Sequence, residues 1–565
     1  MGPEDARRDL DAWRASFPAD PYAADSELRA LNRRFLDGER LEALHESASE
    51  FGRAVADVVG PSAARYEQRA HLPELARYDG VGHRLEEVRF DPSYHRSGVA
   101  VWKSGVISYS GTPGRAFEQA TLLYLLSLEG EAGHACPVVC TIGLARALRR
   151  RASDAVRDRF LPALLLPDYD RADRASQFLT EVQGGSDVGS NACCAVPQPD
   201  GTYRLSGEKW FCSVADAHQF LVTARPEGAP DGTAGLGCFV VPRELDGVLN
   251  GFSLRRLKEK LGTRGMASGE VDLAGAVAWP IGPVEEGFKT AVGIVLNTSR
   301  WMTAIGATGM MRRALLEAAA YARHRRAFGQ PIGDFPVIRQ TLAEMHMGWL
   351  GALHLTWLLT HLEDRLDAEV ADETEVLFHR FLVNATKYVT SARATQVVRQ
   401  GIEVLGGNGT IEDFSVLPRL YRDAMVYESW EGTHNVLVAQ VLADLRRLPI
   451  LDVVASEAAR MLEAAEHDVL EITKLSLDQT LVGVSRCVSD HEYGATHFRR
   501  LLDRLMLILE VGVLVRDGGD RCLAVAALLA RSGLDQAYRA EDDPEFLRRV
   551  GAIIDDGSGS ESGEA

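Results

Sequence analysis

The spacing of apolar positions along this chain changes twice. From the N-terminus to about residue 175, apolar residues recur at three- and four-residue intervals, as at Leu123, Leu125, Leu126 and Leu128, and predict helices. Between Arg77 and His95, Gly and Pro punctuate polar and aromatic residues, which predicts a loop with a short strand. From about Ser176, short apolar or alternating runs take over: Tyr203-Arg-Leu, Phe220-Leu-Val-Thr, Gly237-Cys-Phe-Val-Val and Glu270-Val-Asp-Leu. Turns at Pro199-Asp-Gly and Pro230-Asp-Gly favour hairpins, so 176–284 is expected to be a compact β domain. Helical spacing returns after Gly287, over about 288–327, 336–368 and 374–405, with breaks at Gly329-Gln-Pro, around Asp364 to Asp372 and at Gly406-Gly-Asn-Gly409. Long helices joined by short breaks predict an antiparallel bundle over 285–445. A further helical stretch is expected over 446–553, with Pro449 near its start. The last residues, 554–565, are nearly devoid of apolar side chains and are expected to form a disordered acidic tail. The fold class is therefore α+β: a helical domain over 1–175, the β domain, a helical bundle and an extra C-terminal helical domain.

Composition narrows the function classes. With 565 residues, 46% hydrophobic and 25% charged, the chain is of ordinary globular type. Its net charge of -18 argues against affinity for nucleic acid or anionic membrane. Eight cysteines without paired Cys-x-x-Cys spacing read as reduced thiols of a cytoplasmic protein. His134, Cys136 and Cys140 come nearest to a metal cluster but lack a second half and read as core residues, so no metal is expected. The N-terminus leads into Asp, Trp and Arg and predicts no signal peptide. The apolar run Leu505 to Val515 is interrupted by Glu510 and is too short to span a membrane.

Candidate chemistry sits in five stretches. In Tyr421-Arg-Asp-Ala-Met-Val-Tyr-Glu-Ser-Trp-Glu-Gly-Thr-His-Asn435, Glu431 lies between Trp430 and a Gly-Thr turn. Desolvation there would suit a general base; an early-turn carboxylate favoured by the helix dipole has the same pattern. Leu179-Thr-Glu-Val-Gln-Gly-Gly-Ser-Asp-Val-Gly-Ser190 can turn amides and a hydroxyl toward an anion, as can a plain Gly-Ser turn. Ser206-Gly-Glu-Lys-Trp-Phe-Cys-Ser213 reads as a strand with aromatics. Tyr321-Ala-Arg-His-Arg-Arg-Ala-Phe-Gly-Gln-Pro-Ile332 ends a helix with a basic cluster, and guanidinium suits a pyrophosphate. Glu403-Val-Leu-Gly-Gly-Asn-Gly409 is a glycine loop of helix-ending type.

In this order, on helical, β and helical segments, these stretches resemble the acyl-CoA dehydrogenase flavoprotein family over about Arg77 to Leu445. The resemblance implies FAD, with Leu179 and Thr180 at the flavin ring, Gly185 and Ser186 at the pyrophosphate, and Phe211 and Ser213 over the ring. It implies that Arg325, Phe328, Gly406 and Gly407 meet the FAD of a neighbouring subunit, and that Thr433 also contacts the cofactor. Glu431 would be the base that takes the α-proton of an acyl thioester, with Ser186, Arg300 and Gly432 near the substrate; Arg300 could equally serve an ion pair. Some members carry the base just before an Arg at the start of the second helical part, where this chain has Ser299. Gln177, two residues before Leu179, stands where the family often has an aromatic. The implied activity is α,β-desaturation of an acyl-CoA, with an electron-transfer flavoprotein as acceptor and a homotetramer or homodimer as the assembly.

Within the family, the likeness runs to the alkylation-response, AidB-like branch. It is carried by Arg77-Tyr-Asp-x-x-Gly-x-Arg-Leu-x-x-Val-x-Phe-x-Pro-x-x-His95, Gln183-Gly-Gly-Ser-Asp-Val-x-Ser-Asn191, Lys209-Trp-Phe-x-Ser-Val214, Leu417-Pro-Arg-Leu-Tyr-Arg422 and the added C-terminal domain. That branch implies a basic face for duplex DNA on the added domain. Here the segment from Leu445 onward has 14 Lys and Arg against 22 Asp and Glu, which removes the physical basis for strong nonspecific DNA affinity. Two other readings stay open: a DNA-associated protective flavoprotein with little dehydrogenase activity, and a tailoring desaturase acting on a carrier-protein-bound acyl group.

Overall fold

A computed structural model of the chain describes residues 2–463, 465–535 and 545–554. In chain order, helices α1 (Pro3–Arg14), α2 (Pro21–Ala24), α3 (Ser26–Phe35), α4 (Gly38–Ala54) and α5 (Gly60–Tyr66) precede a hairpin of β1 (Glu74–Tyr78) and β2 (Arg84–Arg89). Helices α6 (Pro92–Lys103), α7 (Ala116–Leu126), α8 (Ala135–Arg151) and α9 (Asp154–Leu164) follow. Next come β3 (Ala175–Phe178), β4 (Cys194–Pro197), β5 (Tyr203–Ser213), β6 (Gln219–Pro226), β7 (Gly237–Pro242), β8 (Glu244–Leu245), β9 (Val248–Leu249), β10 (Phe252–Leu257) and β11 (Ser268–Pro280). Helices α10 (Gly287–Thr290) and α11 (Asn297–His324) flank a π-helical segment, Ala291–Leu296, and lead to a ribbon of β12 (Arg326–Ala327) and β13 (Gln330–Pro331). The further elements among the described residues are helices: α12 (Pro336–Asp367), α13 (Glu373–Leu405), α14 (Leu417–Ser429), α15 (His434–Arg447), α16 (Ile450–Met461), α17 (His467–Ser489), α18 (His491–Asp517), α19 (Asp520–Gly533) and α20 (Phe546–Ile554). The chain divides into two compact units, a sheet unit of residues 19–25 and 36–302 and a bundle unit of 1–18, 26–35 and 303–565.

In the sheet unit, seven strands run in the order β10-β11-β5-β4-β6-β3, with β7 paired to both β11 and β6. The pairings of β11, β5, β4, β6 and β7 therefore close on themselves, which gives the β domain its barrel character. Strand β7 is buried along its whole length and β6 along all but its end, which is why both read as continuous apolar runs. Helix α7 is buried at every position, and its one charge, Glu118, is paired with Arg40 and Arg115. The stretch from Arg77 to His95 departs from the expected single strand in a loop. It holds the β1–β2 hairpin, whose turn is set by Asp79 accepting from the amides of Val81 (2.9 Å) and His83 (2.8 Å), and then the start of α6. Asp91 caps that helix by accepting from the Ser93 amide at 2.9 Å, so Pro92 is a first-turn proline rather than a loop signal. His134, Cys136 and Cys140 are core residues; His134 Nε2 lies 2.9 Å from the Tyr94 carbonyl, and burial pushes the ring down to about 3, leaving it neutral.

In the bundle unit, α12 and α13 are joined by a short link closed with a capping box, Asp372 accepting from the Glu375 amide at 2.8 Å and Glu375 from the Asp372 amide at 3.0 Å. Two stretches from within the first 175 residues group here: the Trp13 ring of α1 stacks 5.0 Å from Phe414, and Trp357 donates to Asn32 of α3 at 2.9 Å. Helix α18 lies against α12 and α13, and the charge that interrupts its apolar run, Glu510, is fully buried and paired with Arg393 of α13. The run is thus apolar because it is enclosed by other helices. Among the described residues no helix is long and apolar enough to cross a membrane. The expected acidic tail lies outside the described residues, except Ile554, which ends α20.

Taking away one partner of a buried ion pair leaves the other charge desolvated and unbalanced, at about 3–5 kcal/mol. Arg393→Met is therefore expected to lower the thermal midpoint strongly, and Arg393→Met/Glu510→Leu to recover most of the loss. Equal destabilisation of the single and double variants would contradict the pairing.

Candidate functional site

The sheet unit positions the first group of candidate residues by a buried charge. Leu179 and Thr180 follow β3, and the Thr180 carbonyl accepts from the Trp210 amide of β5 at 2.9 Å. The loop then returns on itself: a Cβ on Gly184 would stand 2.5 Å from Ser190 Oγ, and one on Gly185 3.1 Å from Thr180 Cγ2. Glycine is required at the first of these and favoured at the second. Gly185 and Ser186 are exposed, so their amides are open to a ligand. Lys209, with no exposed side-chain surface, holds the loop from inside, donating to Glu181 Oε1 (2.6 Å) and to the carbonyls of Thr223 (2.7 Å) and Leu179 (3.4 Å). Glu181 also accepts from the amides of Ala192 (2.6 Å) and Cys193 (3.2 Å), and Asn191 donates to the Leu179 carbonyl at 3.1 Å. Burial alone would raise the Glu181 carboxyl; the Lys209 ammonium and the Ala192 amide outweigh it and hold it below its ordinary value.

Phe211 and Ser213 lie on β5 beyond this anchor. The β5–β11 register shifts between the Cys212–Gly269 and Lys209–Val271 pairs, which places Trp210 and Phe211 in a bulge. Phe211 is 55% exposed although Lys209, two positions earlier, has none, so the bulge releases the ring from the buried face. The Lys258 ammonium sits 3.4 Å from the Trp210 ring centre and 4.9 Å from that of Phe211. Ser213 is half-buried, with its hydroxyl 3.5 Å from that of Ser268. Ser299, the alternative base position, is fully buried with its hydroxyl 3.4 Å from the Gln177 side-chain amide. A hydroxyl in that setting cannot take a proton from carbon at neutral pH. Arg300 is buried beside it.

The bundle unit carries the second group. Trp430 is the extended C-cap of α14, its ring 4.3 Å from that of Tyr427. Glu431 follows with φ +57° and Gly432 with φ +106°, and Thr433 is the exposed N-cap of α15. A left-handed backbone costs a Glu about 1–3 kcal/mol and persists only where its surroundings impose it. The imposing group is Lys387 of α13, fully buried, whose ammonium donates to the carbonyls of Gly432 (2.8 Å) and Glu428 (3.2 Å). His434 Nε2 lies 3.3 Å from Ser391 Oγ; burial, Lys387 and Arg499 push its ring down to about 4 and keep it neutral. Behind it, Tyr388 donates to Asp503 of α18 at 2.6 Å and accepts from Arg499 Nε at 3.0 Å, while Arg499 also reaches Asn435 at 3.2 Å. The C-terminal helices thus help to hold the turn that carries Glu431.

Arg325, Phe328, Gly406 and Gly407 gather in the same unit. Arg325 follows α11, and Phe328-Gly329 forms the two-residue loop between β12 and β13, with φ +53° and +91°. Phe328 is 97% exposed at its tip. Gly406 ends α13 at φ +62°, Gly406 and Gly407 are exposed with open space before them, and Asn408 of the same loop donates to the Tyr321 hydroxyl of α11 at 3.1 Å. Glu181, Lys209 and Lys387 are the residues to which sequence reasoning gave no role. In the sequence Glu181 and Lys209 stand inside two of the motif stretches with nothing to signal their pairing, and Lys387 lies in an ordinary helical run.

Three family models match the chain in order: the adaptive response protein AidB N-terminal domain over 15–171, the acyl-CoA dehydrogenase middle domain over 176–275 and the acyl-CoA dehydrogenase C-terminal domain over 285–445. The putative acyl-CoA dehydrogenase AidB of Escherichia coli is 37% identical over 341 residues, covering 59% of this chain and 61% of that protein, less than two thirds of its length. Acyl-CoA dehydrogenase family member 11 of Caenorhabditis elegans is 32% identical over 442 residues, 75% of this chain and 70% of that one. Among solved structures, C. elegans ACDH-11 in complex with C11-CoA is similar with a TM-score of 0.86 at 27% identity, covering 96% of each chain.

Because the folded-state carboxyl of Glu181 is lowered, its stabilising effect is complete above the unfolded value of about 4.3 and is lost as pH falls through the lower folded value. Glu181→Gln is expected to melt well below wild type at neutral pH, with a gap that narrows below about pH 4.3. A gap independent of pH would contradict the ion-pair account.

Proposed function

The chain belongs to the acyl-CoA dehydrogenase family, and from that premise we propose that it is an FAD-dependent acyl-CoA dehydrogenase, desaturating an acyl thioester between its α and β carbons. The observation that carries this reading is Glu431, a carboxylate fixed on a strained turn by a buried ammonium. When bound, FAD would supply the hydride acceptor for the β carbon. The donors suit it: exposed Gly185 and Ser186 for a pyrophosphate, Leu179, Thr180, Phe211 and Ser213 for a ring, and the Arg325 guanidinium for the FAD of a neighbouring subunit.

Glu431 takes the α-proton. That proton is weakly acidic, so the carboxylate must be held where the Cα–H bond will lie while amides polarise the thioester oxygen. The Glu431 amide, presented by the left-handed turn, with Gly432 beside it, serves that oxygen. In this reading Arg300 and Ser186 are assigned to the substrate and Thr433 to the cofactor. Ser299 leaves Glu431 without a rival base at the alternative position.

A thioester of CoA is the substrate class favoured, since the similar nematode structure is a complex with C11-CoA. Assembly as a homotetramer or homodimer accounts for Phe328: an aromatic 97% exposed on a strained loop tip suits a contact with a second copy, where Gly406 and Gly407 add open backbone. An electron-transfer flavoprotein is the proposed acceptor. A cytoplasmic location agrees with free cysteines, all but Cys194 buried. The C-terminal helices act in this reading as support for the base turn, through Asp503 and Arg499, rather than as a DNA-binding face.

Glu431→Gln is expected to retain FAD yet lose anaerobic bleaching by every member of a panel of acyl-CoA thioesters. Wild-type bleaching in that variant would remove Glu431 from the role of base.

A further inference from the structure

Far from Glu431 in sequence, three potential metal ligands converge inside the bundle unit: Glu27 of α3, His354 of α12 and Cys522 of α19, with one donor atom from each lying within 4.8 Å of the others. His354 and Cys522 are buried, and Cys522 Sγ lies 3.5 Å from His354 Nε2. That separation is the edge of a tetrahedron whose metal–sulfur and metal–nitrogen bonds are about 2.3 and 2.0–2.1 Å. The imidazole is oriented for such a role. Its Nδ1 lies 2.7 Å from Asp517 Oδ2, and Asp517 is itself held by Arg34 (2.9 Å) and Arg516 (2.7 Å), so it stays anionic and accepts the Nδ1 proton. The Nε2 lone pair is then directed to the Cys522 side, as in carboxylate–histidine–metal arrangements.

We propose that Glu27, His354 and Cys522 form a site for one divalent cation of the zinc class, with Asp517 orienting the imidazole. A thiolate and a carboxylate neutralise a divalent charge, and the sulfur and nitrogen donors exclude magnesium and calcium, which take oxygen ligands. Arg521 stands 3.2 Å from Glu27 Oε1 and orients that carboxylate. Without a cation, burial pushes the Cys522 thiol up to about 12, with Glu27 and Asp517 adding to the effect, so the thiol keeps its proton. Binding breaks that S–H bond: the sulfur keeps the electron pair for the metal and the proton goes to solvent. The site joins helices from the start, middle and end of the chain, so its effect is to fasten the C-terminal helices and α3 to the bundle.

The test uses the full-length protein, stripped with chelator and titrated with zinc and with cobalt(II). One high-affinity equivalent per chain is expected, with about one proton released, a raised thermal midpoint, and for cobalt a near-ultraviolet thiolate charge-transfer band. Cys522→Ser should lose the band, and Asp517→Asn should bind about 10–100-fold more weakly. No stoichiometric binding by folded wild type, or a wild-type band in folded Cys522→Ser, would overturn the proposal. If Cys522→Ser does not fold, the Asp517→Asn affinity decides: weakened binding supports the site and unchanged binding overturns it.

Discussion

Lys387 is the residue on which the candidate chemistry rests. Its ammonium is fully buried and donates to two carbonyls, one in the last turn of α14 and one in the turn beyond Glu431. A cation at a helix C-terminus is favoured by the helix dipole, which offsets part of the cost of burying it. In return the turn is fixed in a conformation that Glu431 would not adopt unaided. Tyr388, Asp503 and Arg499 then tie the following helix to α18, so the C-terminal helices take part in holding the turn that carries Glu431.

The sheet unit uses the same device. Lys209 is buried beneath the loop that opens Gly185 and Ser186, and with Glu181 and Asn191 it satisfies the backbone of a segment that would otherwise lack secondary-structure partners. A loop is thereby tied down by side-chain hydrogen bonds, which is what a binding site needs if its amides are to be held ready for a ligand.

Local signals in the sequence announced the elements that depend on local causes. Continuous apolar runs marked β6 and β7, the Pro-Asp-Gly turns marked the hairpins β4–β5 and β6–β7, and Gly406 marked the end of α13. The stretch around Pro92 was misread because a first-turn proline and a loop proline look alike until Asp91 is seen to cap the helix. Roles that depend on contacts across the chain were not legible. Glu181 and Lys209 are 28 residues apart, Arg393 and Glu510 are 117 apart, and no periodicity links them. The candidate residues lay in motifs, as did Glu181 and Lys209, but the pairing of those two was not visible there, and Lys387 lay outside every motif. The grouping of α1 and α3 with the bundle rests likewise on Trp13 and Asn32 meeting distant aromatics.

The central claim is that the buried ammonium places the carboxylate. The direct measurement is the rate of anaerobic flavin reduction by an acyl-CoA thioester in Lys387→Met, with FAD content and thermal midpoint recorded on the same preparation. The account predicts retained FAD and a reduction rate lowered by about 100-fold, the scale expected when a reacting group is misplaced by about 1 Å. A folded, FAD-replete variant that reduces at the wild-type rate would contradict it.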